Sequence, residues 1–199
     1  MLSYIVSFLV MLNPFALFLY LRPLMKELDN PSFVKVVFKA SVISFFIFLV
    51  FVLSGSFIFS NLLKVDFEAF RIFGGVILFS IAFLFVVGGR EAFVRLKEDL
   101  DDTATEISLP FMVGAGTISL SVLMSHELGH FRGFVSLGII MFLNFLFIMG
   151  LKNFRDKLEY KKIKVVFDKN MEILLRLNGF FLGTIGVHMV LTAINNLYF

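Results

Sequence analysis

The chain contains 199 residues, 59% of them hydrophobic, and its mean hydropathy is +0.94. This apolar share exceeds the roughly 45–50% of soluble domains and indicates a membrane protein. The absence of cysteine excludes disulfides, thiolate ligands and cysteine nucleophiles, and a net charge of only +3, with the basic residues in short loops, argues against nucleic-acid binding.

Six stretches free of Asp, Glu, Lys and Arg cover residues 1–21, 40–63, 72–89, 107–125, 133–151 and 177–199. Each is close to the roughly 20 residues that a helix needs to cross a bilayer core. They predict an all-α membrane protein with six transmembrane helices in a single domain over residues 1–199. Met1 leads into the first stretch without a basic leader, so we expect this stretch to stay in the mature protein.

The basic residues predict the orientation, because short cytoplasmic loops are enriched in Lys and Arg. All but three of the 18 Lys and Arg residues lie in the first, third and fifth connections or at their edges. The exceptions are Lys64, Arg71 and Arg132. We therefore expect both termini to lie outside the cell, with the connection 152–176 in the cytoplasm. We expect the acidic run 98–102 to be part of a solvated cytoplasmic loop.

Two similar segments predict an internal repeat: FRIFGG (70–75) opens the third span and LRLNGF (175–180) opens the sixth. Because each half holds three spans, the second half must enter the membrane upside down relative to the first. The sequence therefore predicts two inverted three-helix repeats, 1–97 and 105–199, with a cytoplasmic linker at about 90–106. Many secondary transporters are built from such repeats.

The first helix of each half is also interrupted. Pro14 lacks an N–H and crowds the carbonyl of Val10, and Gly114 and Gly116 loosen the fourth span. Backbone groups unpaired at membrane depth must be buried or line a cavity, so we expect the two breaks to meet near the midplane. A half-helix N-terminus there suits a substrate carboxylate. The alternative is that each break is an ordinary kink or close-packing point. The candidate substrate-binding residues are Asn13, Pro14, Phe15, Gly114, Ala115, Gly116 and Thr117.

Four segments, LNPFALF (12–18), FRIFGGVILFSIAFLFVVGG (70–89), ISLPFMVGAGTIS (107–119) and RLNGFFLGTIGV (176–187), carry a family resemblance. They resemble the MarC family of integral membrane proteins, which includes the small neutral amino acid transporter SnatA. The resemblance implies a six-helix fold in the plasma membrane of a bacterium or archaeon. It also implies ion-coupled transport of alanine- or glycine-like substrates, without a cofactor. The family signatures fall on Asn13 and Pro14 and on Gly114 and Gly116, whereas Ala115 stands where many members have proline.

One motif favours a different chemistry. His126, Glu127 and His130 have the H-E-x-x-H spacing of zinc metalloproteases, in which two histidines on one helix face bind zinc and the glutamate activates water. A zinc protease needs a third ligand besides the two histidines, and the sequence offers few candidates. Intramembrane proteases of this kind also have an Asp-Gly pair on a later helix, and this sequence contains no Asp-Gly pair. Because Gly129 and Gly133 flank the second histidine, we expect a turn between two spans rather than a ligand helix, with no metal bound. A metalloprotease remains the alternative function.

His188 is the one titratable residue well inside a predicted span. Such residues are functional candidates by default, so His188 is a candidate coupling residue, beside backbone carbonyls and edge acids such as Glu68. The alternative is a neutral imidazole bonded to a neighbouring helix. The leading hypothesis is a transporter and not an enzyme, whose partners are a neutral amino acid, a coupling ion and the lipid bilayer. A non-transporting membrane scaffold is the third possibility.

Overall fold

A computed structural model describes residues 1–89 and 112–198, and within these two ranges the chain forms helices and no strand. The α-helices are α1 (Leu2–Leu12), α2 (Pro14–Tyr20), α3 (Arg22–Glu27), α4 (Asn30–Ser54), α5 (Phe67–Gly88), α6 (Ala115–Leu128), α7 (His130–Asp156) and α8 (Lys161–Tyr198). A short π-helix covers Ile58–Leu63. The predicted all-α architecture is confirmed.

Five helical segments are long and apolar enough to cross a membrane: Leu2–Glu27, which joins α1 to α3, and the helices α4, α5, α7 and α8. The remaining long helix, α6, has 14 residues and spans about 21 Å at about 1.5 Å per residue. The first part of the fourth predicted span, residues 107–111, lies outside the described residues. So do the predicted linker 90–106 and its acidic run. The count of six spans and the inverted repeat stay predictions.

The helices α5 and α8 pack tightly because glycines occupy their contact. A Cβ atom built on Gly75 would lie 2.6 Å from the carbonyl oxygen of Gly186, and one built on Gly186 would lie 2.7 Å from that of Gly75. Further along the pair, Gly179 lies against Ala82. From Gly179 to Gly186 the residue numbers increase along α8, while those of the contacted residues on α5 decrease from Ala82 to Gly75. The two helices therefore run antiparallel. Small residues of this kind let membrane helices approach closely.

A second group of helices, α1, α4, α6 and α7, packs around apolar side chains. The rings of Phe8 and Phe48 meet edge to face with their centroids 5.1 Å apart, and both side chains are fully buried. Met124, Leu137 and Ile140 belong to the same core. The segment formed by α1 and α2 also contributes side chains to a separate core with α5 and α8. The broken segment therefore lies between two helix groups.

Ion pairs lie at both ends of the bundle. At the end that carries the basic connections, Asp168 of α8 pairs with Arg22 of α3 at 2.8 Å and with Arg155 of α7 at 2.9 Å. At the opposite end, Glu68 and Arg71 pair at 2.8 Å within α5. The Asp168 pairs join α3 to the consecutive helices α7 and α8, so they hold that end of the bundle together.

Candidate functional site

The first helix break is centred on Asn13. Its backbone has φ 46 and ψ 72, in the left-handed region, and it separates the end of α1 from Pro14, the first residue of α2. Its side-chain Oδ1 accepts the backbone N–H of Ala16 at 3.1 Å, which caps α2. The residue is only 3% exposed, and its Nδ2 has no hydrogen-bond partner among the described residues. The break therefore holds a buried amide donor that no described residue satisfies.

Pro14 also frees a carbonyl, because it has no N–H to bond Val10 four residues earlier. The Nδ2 of Asn178 on α8 donates to this Val10 carbonyl at 3.0 Å. In the sequence, Asn178 stands out only as part of the repeat segment LRLNGF (175–180). An asparagine inside an otherwise apolar span was the available signal, but the sequence does not show which group it bonds.

The predicted second break coincides with the start of α6, which begins at Ala115 after an extended Gly114 with φ −125, while residues 107–111 of the same predicted span lie outside the described residues. The hydroxyl of Thr117 accepts the backbone N–H of Gly114 at 2.9 Å, and its own hydrogen is placed to donate to the Gly114 carbonyl at 2.9 Å or the Met112 carbonyl at 3.2 Å. This side chain is buried and takes the place of a capping residue at the helix start. The Thr117 hydroxyl thus fixes the turn that opens α6.

The two breaks line one cavity of about 180 Å³. Side chains of α5 and Leu182 of α8 complete its wall. None of the described residues that line it is charged. Five of the predicted substrate residues line the cavity, namely Asn13, Gly114, Ala115, Gly116 and Thr117.

Two predicted residues of the first break do not line this cavity. Pro14 is buried in the helix start. The ring of Phe15 packs edge to face against Phe147 of α7, with the ring centroids 5.5 Å apart. Both residues therefore shape the break without facing the enclosed space.

Glycines bring α6 close to α5 at the cavity. A Cβ atom on Gly116 would lie 2.2 Å from Cδ1 of Leu78, and one on Gly74 would lie 3.2 Å from the backbone of Ala115. Gly116 and Leu78 both line the cavity. Any side chain at position 116 must therefore displace a wall of the cavity.

A sequence profile of the MarC family of integral membrane proteins matches residues 1–198. The chain belongs to this family. The family prediction from the sequence is thereby confirmed, and the protein is a multi-pass integral membrane protein.

Curated members of the family are similar to the chain over most of their length. The UPF0056 membrane protein YvbG of Bacillus subtilis is 27% identical over 173 residues, which cover 80% of this chain and 77% of that protein. A UPF0056 membrane protein of Aquifex aeolicus is 26% identical over 202 residues, covering 96% and 90% respectively. The protein PH0214 of Pyrococcus horikoshii is 22% identical over 186 residues, covering 93% and 88%. No solved structure matches the chain significantly.

The H-E-x-x-H residues of this MarC family protein do not share a helix. Gly129, with φ 77, ends α6 after His126, and α7 begins at His130. The Nδ1 of His130 lies 2.9 Å from the Ser125 hydroxyl and 3.0 Å from the Val52 carbonyl. Because a carbonyl only accepts, Nδ1–H donates to it near the end of α4. Across residues 1–89 and 112–198, no cluster of three or more His, Cys, Asp or Glu side chains is placed to hold a metal.

His188 lies apart from the cavity. Its side chain is exposed on the outer side of α8, in a groove of about 590 Å³ that Phe79, Phe83 and Phe180 also line. It is not among the residues that line the cavity at the breaks. The structure does not bring the predicted coupling residue to the predicted substrate residues, and a role for His188 in coupling stays a prediction.

Proposed function

We propose that this MarC family protein is a secondary active transporter of small neutral amino acids, alanine- or glycine-like, driven by an ion gradient. The observation that carries the proposal is the buried Asn13 amide, which lies at the cavity shared by the two helix breaks. A buried donor without a partner costs free energy. Its position beside a cavity favours a ligand that accepts its hydrogen bond.

Two helix ends of opposite polarity meet at the cavity. The N-terminus of α6 carries partial positive charge and suits a carboxylate, while the C-terminus of α1 carries partial negative charge and suits an ammonium group. A zwitterion supplies both charges. Because no described side chain of the lining is charged, a substrate with an uncharged side chain is favoured over a net cation or anion.

The size of the cavity favours a small substrate. Its volume of about 180 Å³ is below the roughly 300–1,000 Å³ of pockets for drug-sized ligands. The apolar wall provided by Leu78 and Leu182 suits a hydrogen atom or a methyl group as the substrate side chain. These features favour glycine and alanine over larger amino acids.

We further propose that six spans form two inverted repeats, 1–97 and 105–199, with both termini outside the cell. The antiparallel packing of α5 against α8 supports this arrangement, because inversion requires the third and sixth spans to run in opposite directions. The positions of the two breaks, in the first span of each half, support it as well. The basic connections then face the cytoplasm of a bacterium or archaeon.

The test is uptake of labelled alanine and glycine into proteoliposomes under a sodium or a proton gradient. Wild-type protein and Gly138→Leu should both take up substrate, because a Cβ at Gly138 meets nothing within 4 Å. Gly116→Leu should lose uptake while it stays helical by circular dichroism, because its side chain displaces Leu78 and fills the cavity.

Two results would contradict the proposal. Absence of uptake by the wild type under both gradients argues against transport of these substrates. Wild-type uptake by Gly116→Leu argues against this cavity as the substrate site.

A further inference from the structure

The Val10 carbonyl needs a partner from outside its own helix. In an uninterrupted helix the N–H of residue 14 would bond it, and Pro14 has none. The residue before Pro14, Asn13, has its own N–H bonded to the Leu9 carbonyl at 3.1 Å. A backbone carbonyl at this depth of a membrane protein is costly if it stays unpaired. Among the described residues, the side-chain Nδ2 of Asn178 donates to the Val10 carbonyl at 3.0 Å.

We propose that Asn178 is a positioning residue for the substrate cavity, and this inference rests on the transport function proposed above. Its amide donates to the carbonyl that Pro14 leaves free, which holds the last turn of α1 in place. Met11, Leu12 and Asn13, the residues that follow Val10, all line the cavity. Asn178 therefore fixes the wall of the cavity without lining it.

The same bond joins the break to the α5–α8 pair. Gly179, the next residue, packs against Ala82 of α5, and Leu182, one turn later, lines the cavity. Asn178 is itself only 7% exposed, so its amide is held by close packing. A movement of α8 along its axis must therefore stretch this bond or carry the end of α1 with it. In a transporter this couples the position of α8 to the shape of the substrate site.

The first experiment measures thermal stability and does not depend on transport. Asn178→Leu keeps the approximate volume of the side chain and removes the donor, so the melting temperature should fall. In a Pro14→Ala background the backbone N–H at position 14 is restored and competes for the Val10 carbonyl. The same Asn178→Leu change should then lower the melting temperature by clearly less. Additive shifts in the two backgrounds would overturn the assigned role of the bond.

A further variant keeps this experiment decisive if Pro14→Ala does not fold. Asn178→Gln retains an amide donor and should recover part of the stability that Asn178→Leu loses. An equal loss in both variants would argue against the hydrogen bond. The matched control is Asn144→Leu on α7, because Asn144 is fully buried and its amide has no partner among the described residues. This control should keep or raise the melting temperature.

The second experiment measures alanine uptake in proteoliposomes. Asn178→Leu should raise the KM by about tenfold, the size of effect expected when a supporting hydrogen bond is lost. Asn178→Gln should bring the KM back toward the wild-type value, and Asn144→Leu should leave it unchanged. A KM unchanged by Asn178→Leu would overturn the positioning role. If the wild type itself carries no alanine, the proposed function fails, and the stability experiment still decides whether Asn178 serves the break.

Discussion

Substitutions of Asn13 separate the stability of the broken helix from ligand binding, because the residue has three distinct features. Its Oδ1 caps α2 through the Ala16 N–H. Its backbone is left-handed at φ 46, a conformation that asparagine tolerates better than most residues. Its Nδ2 is buried and has no partner in the described parts of the chain. Three variants remove these features in different combinations.

The expected losses of stability follow from the geometry. Asn13→Ala removes the cap, at about 1 kcal/mol, and places a Cβ-bearing residue in the left-handed region, at about 1 kcal/mol more. At about 2–4 °C per kcal/mol for a chain of this size, the melting temperature should fall by about 4–8 °C. Asn13→Gly suits the backbone and should lose only a few tenths of a kcal/mol. Asn13→Asp keeps an acceptor for the cap but buries an unpaired carboxyl group, so it should melt below the Gly variant.

The expected losses of binding have a different order. All three variants lack the Nδ2 donor, and a hydrogen bond to a charged group contributes about 1.5–3 kcal/mol. The half-saturating alanine concentration should therefore rise by about 10- to 150-fold in each variant. Melting is followed by circular dichroism and uptake in proteoliposomes. If the Gly and Asp variants take up alanine with wild-type affinity while only the Ala variant fails, Asn13 is a structural residue and the reasoning is refuted.

Three further predictions concern the orientation, the histidine motif and the glycine contact. A cysteine introduced at Lys161 should react with an impermeant reagent only after cells are permeabilised, since this connection is expected in the cytoplasm; labelling of intact cells would contradict the orientation. His126→Ala and Glu127→Gln should each leave alanine uptake unchanged and change the free energy of unfolding by no more than about 0.5 kcal/mol. Stoichiometric zinc in the purified protein, together with Glu127-dependent cleavage of a transmembrane peptide, would instead favour the metalloprotease. Gly186→Ala should lower the free energy of unfolding by about 1–3 kcal/mol, because its Cβ would lie 2.7 Å from a backbone oxygen of α5. The control Gly138→Ala should not change it measurably, because a Cβ there meets nothing within 4 Å. Equal melting temperatures for these two variants would contradict the packing of α5 against α8.

The break at Asn13 and the start of α6 were predictable from the sequence because their causes are local. Proline removes one particular backbone bond, and glycine before Ala115 removes the preference for helix, so both positions are visible in a single line of residues. The partner of the freed Val10 carbonyl was not predictable in this way. Asn178 lies 168 positions away, and the pairing depends on how α8 packs against α1.

Helix ends were harder to predict than helix positions. The absence of charged residues marks the part of a helix that lies in the hydrocarbon layer, whereas the ends of a helix are set by backbone conformation. The last charge-free stretch covers 177–199, yet α8 begins at Lys161 and has 38 residues, since nothing in its charged first half stops a helix. Likewise α6 continues past Ser125 to Leu128. It ends where Gly129 takes φ 77. Transmembrane prediction therefore locates the apolar part of each helix and not its ends.

The broken segment also separates the transporter hypothesis from the scaffold hypothesis. A membrane scaffold does not need a break at Asn13, because a continuous apolar helix would satisfy every backbone group there. It needs neither a polar side chain beside a cavity nor a carbonyl that lacks its helical hydrogen bond. Proteins depart from such local rules mainly at functional sites. Here the departures meet at one cavity, and the Asn178 bond stabilises one of them from a different helix group. The interruption is thus maintained by tertiary contacts. Kinked membrane helices also satisfy freed backbone groups through neighbouring helices, so the Asn13 donor that no described residue satisfies, and not the Asn178 bond, is what favours a substrate site.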